Sequence, residues 1–210
     1  MKKHFVLLAR SYVAGGVTIA GIEMVGEYVV KKKDGRPKWI RPMTAEGDVV
    51  ISWKSVSHLA LLDIVEIEMT KAIPQRYQSE NVLFDGGPIE KIGRYEGRID
   101  SLCEHTESSL FGNQGKAIHY SNIDDLTHSF KLIHVERYAV SKDVKPRMVF
   151  YYRGTSYDLA ITDRHFVNSY KEAPSLAPKD KSIYLAISVG PLDGEFHTKM
   201  VAGVVIPSFS

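Results

Sequence analysis

Apolar and polar residues alternate with period two along much of this chain, and Gly, Pro and Asp interrupt the pattern at short intervals. Period two puts successive side chains on opposite faces of an extended backbone, so strands are expected rather than helices. The signal is sharpest in the second half. FKLIHVERYAV (130–140) is rich in β-branched and aromatic residues, and RMVFYYRG (147–154) ends in an Arg-Gly turn into SYDLAIT (156–162). In that third run Tyr157, Leu159 and Ile161 alternate with Asp158, Ala160 and Thr162. Asp163 then caps a short helical segment, RHFVNSYK, where Phe166 and Tyr170 lie four apart on one face. SIYLAISVG (182–190) and the nearly all-apolar TKMVAGVVIP (198–207) are the last two strands.

Three strands, a helix and two strands is the order of a five-stranded Greek-key barrel of the OB type. The first half repeats the theme through KHFVLLAR, VTIAGIEM, GEYVV and KWIRPM. A fifth run, LLDIVEIEM (61–69), turns Val65, Ile67 and Met69 inward and Glu66 and Glu68 outward. VVISWKSVSH, between the fourth and fifth runs, reads as a strand or as a turn of helix. Gly and Pro cluster in FDGGPIEKIGRYEGR (84–98), which reads as the junction of two halves. The expectation is a mainly β chain of two tandem OB-like Greek-key β-barrels with short helices. Residues 1–95 would form the first barrel with its connecting loop, and 96–210 the second.

Composition narrows the function. A net charge of +2 gives no global basic field, so any nucleic-acid site must be local. The lone Cys103 excludes a disulfide framework. The apolar start is interrupted by Arg10, and no run approaches a membrane span. A soluble cytoplasmic protein that does not contact membranes is expected. The histidines show no HExxH spacing, GNQG (112–115) lacks the Lys and Thr of a P-loop, and no GxSxG elbow occurs. DRH (163–165) sits where a helix cap is expected. No catalytic residue, metal ligand or cofactor is therefore assigned, and the chain reads as a binding protein, not an enzyme.

Four stretches are candidates for binding. Trp39 and Arg41 share one face of a strand: they read as a stacking platform with a phosphate-pairing guanidinium, or as a barrel plug with Arg41 paired to a carboxylate such as Asp63. In YQSEN (77–81), Gln78 and Asn81 can read a base edge above a stacked Tyr77, with Glu80 beside them. The same residues can instead cap a turn and bond nearby amides. Tyr152 and Arg153 lie on a middle strand of the second barrel, where OB folds commonly take ligands. Alternation forbids Tyr151 and Tyr152 from both facing outward. KKKDGRPK (31–38) is a basic hairpin tip that reads as a phosphate contact or a solvated loop.

Several of these stretches also carry a resemblance. LLARSYVAGGVTIAGIEM, WIRPM, LLDIVEIEM and PQRYQSENVLF, with YRGTSYDLAITD and IYLAISVG…KMVAGVVI, resemble the dual OB-containing domain family of prokaryotes over about residues 4 to 206. Where the resemblance would put a Cys in VTIAGI this chain carries Thr18 or Ile19, which bears on packing rather than chemistry. The resemblance implies tandem OB folds that bind nucleic acid or nucleotide-like ligands, with no established enzyme activity. The resulting reading is single-stranded nucleic acid or nucleotide recognition, as the sensor part of a prokaryotic defence system. The alternative is a module that docks a protein partner encoded nearby.

Overall fold

The computed structural model describes residues 1–13, 15–44, 51–105, 107–141, 145–172 and 182–207. β1 (Lys2–Val13) sorts its side chains by parity. Phe5 and Leu7 point into one apolar cluster, and Val6 and Leu8 into another. A strand buried on both faces is one that lies between two packed bodies.

β1 pairs with β2 (Gly16–Val25), which continues into the two-residue β3 (Tyr28–Val29). β4 (Trp39–Met43) lies beside β2, and one turn of helix, α1 (Trp53–Val56), leads to β5 (Asp63–Ala72). β6 (Asn81–Arg94) then pairs with both β5 and β4, and β5 returns to β1. The ring β1-β2-β4-β6-β5 is closed, and its one parallel pair is β4 with β6. That is the strand order of an OB barrel. VVISWKSVSH thus supplies a helical turn at Trp53–Val56, and its first two residues lie outside the described ones.

β6 has no counterpart in the sequence reading. Residues 84–94, which read as part of a junction, are all but the first three residues of this strand. The pairing with β5 slips between Ile67 and Met69, opposite the bulge that carries Gly86, at φ 84°, and Pro88. A bulge tolerates a residue without an amide hydrogen inside a strand.

The second sheet begins with β7 (Ala117–His119) and runs through β8 (Phe130–Val135), β9 (Tyr138–Val140), β10 (Arg147–Tyr152) and β11 (Thr155–Ile161). α2 (Arg164–Glu172), β12 (Ile183–Asp193) and β13 (Phe196–Val205) follow. The spatial order is β8-β12-β13-β11-β10-β9, with β11 and β13 parallel. β8 and β9 are two pieces of one predicted strand, interrupted at Glu136 and Arg137, and they supply both ends of the path. The order of three strands, helix and two strands holds. Asp163 caps α2 as expected, its Oδ1 accepting from the amides of His165 (3.1 Å) and Phe166 (3.2 Å).

Three apolar cores result. One fills each barrel, and the third joins them through Val6, Leu8, Ala20, Ile22 and Trp39 on one side and Phe130, Leu132, Tyr184 and Ala202 on the other. Contact there is close: a Cβ on Gly203 would stand 2.0 Å from the Leu8 carbonyl oxygen.

Candidate nucleic-acid interface

The residues expected at a ligand in the first barrel lie in the joint between the barrels. Trp39 is 4% exposed and stacks on Phe130 with ring centroids 5.2 Å apart. Alternation holds, since Ile40 points into the first barrel's core. Arg41 lies over the same Phe130 ring at 5.7 Å and donates from Nε to Asn81 Oδ1 at 2.7 Å. Burial pulls its pKa down, and Glu80 and Tyr77 pull the other way. The alternative partner, Asp63, is instead paired with Lys91 at 2.9 Å and Arg94 at 3.4 Å. A guanidinium closed off in this way is a structural group in the folded chain, not a free phosphate clamp.

YQSEN is a latch. Arg76, at φ 48°, reverses the chain and pairs with Asp124 at 2.8 Å. Tyr77 enters the second barrel's core, where its hydroxyl donates to the Gly190 carbonyl at 2.9 Å and lies 3.1 Å from His197 Nδ1. Gln78 Nε2 donates to the Tyr77 hydroxyl at 3.2 Å. Glu80 is buried and accepts from the Ser129 hydroxyl and, at 3.4 Å, its amide. Asn81 is fully buried against Arg41. Tyr77, Gln78, Ser79 and Glu80 find partners inside the chain, whereas Asn81 Nδ2 and Nη2 of Arg41 are buried without one among the described residues. The basic tip at 31–38 is also clasped, with Arg36 bonded to Asp34, Thr127 and His128.

The second barrel presents the opposite case. β10 and β11 are joined by a two-residue turn in which Arg153 (φ 49°) and Gly154 (φ 81°) both adopt left-handed backbone, the geometry that matches the twist of a hairpin. Arg153 is held there by donating from Nη2 to the His105 carbonyl at 2.7 Å. Tyr152, a predicted site residue, is 7% exposed, and burial outweighs the neighbouring Arg153 to push its phenol upward. The outward tyrosine is Tyr151, 56% exposed, with the Arg137 guanidinium 5.9 Å from its ring centroid. Parity fixes that choice, because Met148, Phe150 and Tyr152 point into the core.

Tyr151, Arg137, Arg153, His134 and His105 line a cleft of about 340 Å3. Its carboxylates are Glu136 and Glu104, and Glu104 is engaged by His128 at 3.4 Å and Lys131 at 3.6 Å. Burial opposes ionisation of Glu104, but the hydrogen bond from His128 and the nearby Lys131 charge hold it below the usual carboxylate range. Glu104, Glu107 and His128 could reach one metal ion, yet the Lys131 ammonium stands 2.6 Å from Glu107 and takes the cation's place. The Arg137 guanidinium lies beside the exposed Tyr151 ring, and the Arg153 guanidinium lies 5.7 Å from the Tyr152 ring centroid at the same cleft, which suits a flat group next to an anion. Sequence reasoning missed Tyr151 and Arg137. The signal for Tyr151 was present in the alternation of β10, once the inward parity was known.

Among solved structures the chain is similar to a murine DNA-binding protein bound with double-stranded DNA, at 5% identity and a TM-score of 0.41, covering 99% of this chain and 98% of that one. It is similar also to the Ifi202 HINa domain in complex with 20-bp double-stranded DNA, at 11% identity and a TM-score of 0.33, covering 93% and 89%. No curated protein sequence matches the chain. The family model for the dual OB-containing domain matches residues 3–204. With two OB-ordered sheets in tandem and a family match over nearly its whole length, the chain belongs to the dual OB-containing domain family.

Proposed function

We propose that this chain is a non-enzymatic binding protein that holds nucleic acid, as a single strand or a nucleotide-like ligand, in the cleft beside the Arg153–Gly154 turn. The observation that carries the reading is Tyr151, an exposed aromatic ring with the Arg137 guanidinium beside it, in a cleft that Arg153 also lines. Bases stack on such rings whatever their sequence, and phosphates pair with the flanking cations. The supporting context is the middle-strand location, a common ligand face of OB barrels.

The test is fluorescence anisotropy with labelled single-stranded and duplex oligonucleotides over a salt series. Affinity is expected to fall as salt rises, and Arg137→Ala and Arg153→Ala are each expected to flatten the salt slope by about one unit. Unchanged slopes in both variants would remove the cleft from the interface. No binding at low salt would instead favour docking of a protein partner, for which Val25 and Tyr28 on the β2–β3 hairpin are the exposed apolar groups.

A further inference from the structure

At the seam between the barrels, two adjoining rings lie between two cations. The Arg10 guanidinium lies 5.5 Å from the Trp53 ring, Trp53 lies 5.1 Å from Tyr12, and the Arg164 guanidinium lies 4.8 Å over Tyr12. They come from distant parts of the chain, β1, α1 and the first turn of α2. Their placement is fixed by a backbone bond from the Tyr12 amide to the Thr162 carbonyl at 3.1 Å, which ties β1 of the first barrel to the end of β11 in the second.

Packing alone does not account for the arrangement. α1 is anchored by Val56, which is fully buried, whereas Trp53 leaves 39% of its surface open. Tyr12, Trp53 and Arg164 border a broad shallow cleft of about 650 Å3, with Val13, Gly15, Gly16 and Asn168 also on its rim. The two glycines carry no side chain that would cover the rings. Among the described residues, neither Arg10 nor Arg164 lies within ion-pair distance of a carboxylate. Asp163, close to both in sequence or space, is engaged by the amides of His165, Phe166 and Val204. Arg10 is 1% exposed and its Nε has no acceptor. The seam therefore combines exposed ring surface with the Arg164 guanidinium, which among the described residues has no carboxylate within ion-pair distance, a pairing suited to an unpaired base and its phosphate.

We infer that the Tyr12–Trp53 seam is a second contact for single-stranded nucleic acid, in which an unpaired base stacks on Trp53 and the adjoining phosphate pairs with Arg164. This rests on the nucleic-acid reading above but uses residues separate from the Tyr151 cleft. Strand binding at both places would make the two barrels one continuous binding unit.

The chain has two tryptophans, and the other, Trp39, is buried, so Trp53 reports on its own surroundings. Titration of the full chain with a short oligothymidylate is expected to quench tryptophan emission saturably. Trp53→Phe keeps a ring, so it is expected to retain binding by anisotropy while losing the quench. Trp53→Ala is expected to weaken binding about tenfold or more, with an unaltered circular dichroism spectrum. Wild-type affinity in Trp53→Ala, or equal quenching in Trp53→Phe, overturns the inference. If binding is lost on substitution of Tyr151 or Arg153 but not of Trp53, the cleft stands and the seam falls. If no oligonucleotide binds at all, both fall together.

Discussion

The Trp39 indole of the first barrel stacks on the Phe130 ring of the second, with centroids 5.2 Å apart and planes 23° from parallel. Ninety-one positions separate the two residues in the chain, so the contact exists only when both barrels are folded and docked. Trp39→Ala removes a buried indole from that joint. A loss of stability of about 3–5 kcal/mol is expected in chemical denaturation. Oligonucleotide affinity of the folded variant should stay near wild type, because Trp39 is closed to solvent. Wild-type stability with weakened binding would return Trp39 to the ligand.

Tyr77 separates the latch from a ligand-reading loop. Tyr77→Phe deletes only the hydroxyl that donates to Gly190, and should cost about 0.5–1.5 kcal/mol in the same denaturation experiment. Tyr77→Ala also empties part of the second barrel's core, so about 3–5 kcal/mol is expected. A graded loss of this kind identifies a packed anchor. Equal small losses for both variants would mean that the ring contributes little to packing.

The neighbouring tyrosines of β10 give a contrast within a single strand. Tyr151→Ala should change stability by no more than about 0.5 kcal/mol, since the ring is largely exposed, while base binding should lose about 1–3 kcal/mol. Tyr152→Ala should destabilise the fold by several kcal/mol, on the order of a large core truncation. The reverse pattern in calorimetry and anisotropy would show that the strand's parity is inverted in solution.

Glu23 predicts a pH dependence. Its side chain is 2% exposed, and burial by itself would raise its pKa. Hydrogen bonds from Lys3 and Lys38, the latter at 2.6 Å, outweigh burial and hold it below the ordinary 4.5. A carboxyl lowered on folding binds fewer protons in the native than in the unfolded chain. The stability it contributes is complete above about pH 4.5 and is lost as pH falls through the depressed value. Glu23→Gln should flatten that part of the acid limb in pH-dependent denaturation. An acid limb identical to wild type would show that the pair of lysines does not perturb Glu23.

What the sequence by itself determined is local. The parity of Val65, Ile67 and Met69, the strand–helix–strand order of residues 130 to 205, and the Asp163 cap all follow from the neighbours of each residue along the chain. The tertiary structure decided whatever depended on residues far away along the chain. β6 is a strand because β4 pairs with its start, Asn81–Leu83, and β5 pairs on either side of a bulge whose Gly and Pro would otherwise read as a loop. Trp39, Arg41, Tyr77 and Glu80 have the side chains of a recognition surface, yet each is buried against residues of the second barrel, and Asn81 is buried against Arg41. Conversely, nothing along the chain joins Arg10, Tyr12, Trp53 and Arg164, and only the seam between the barrels does. A period of two reveals that a strand has two faces, but which face meets solvent is set by what packs against it, and that partner lies far away in sequence.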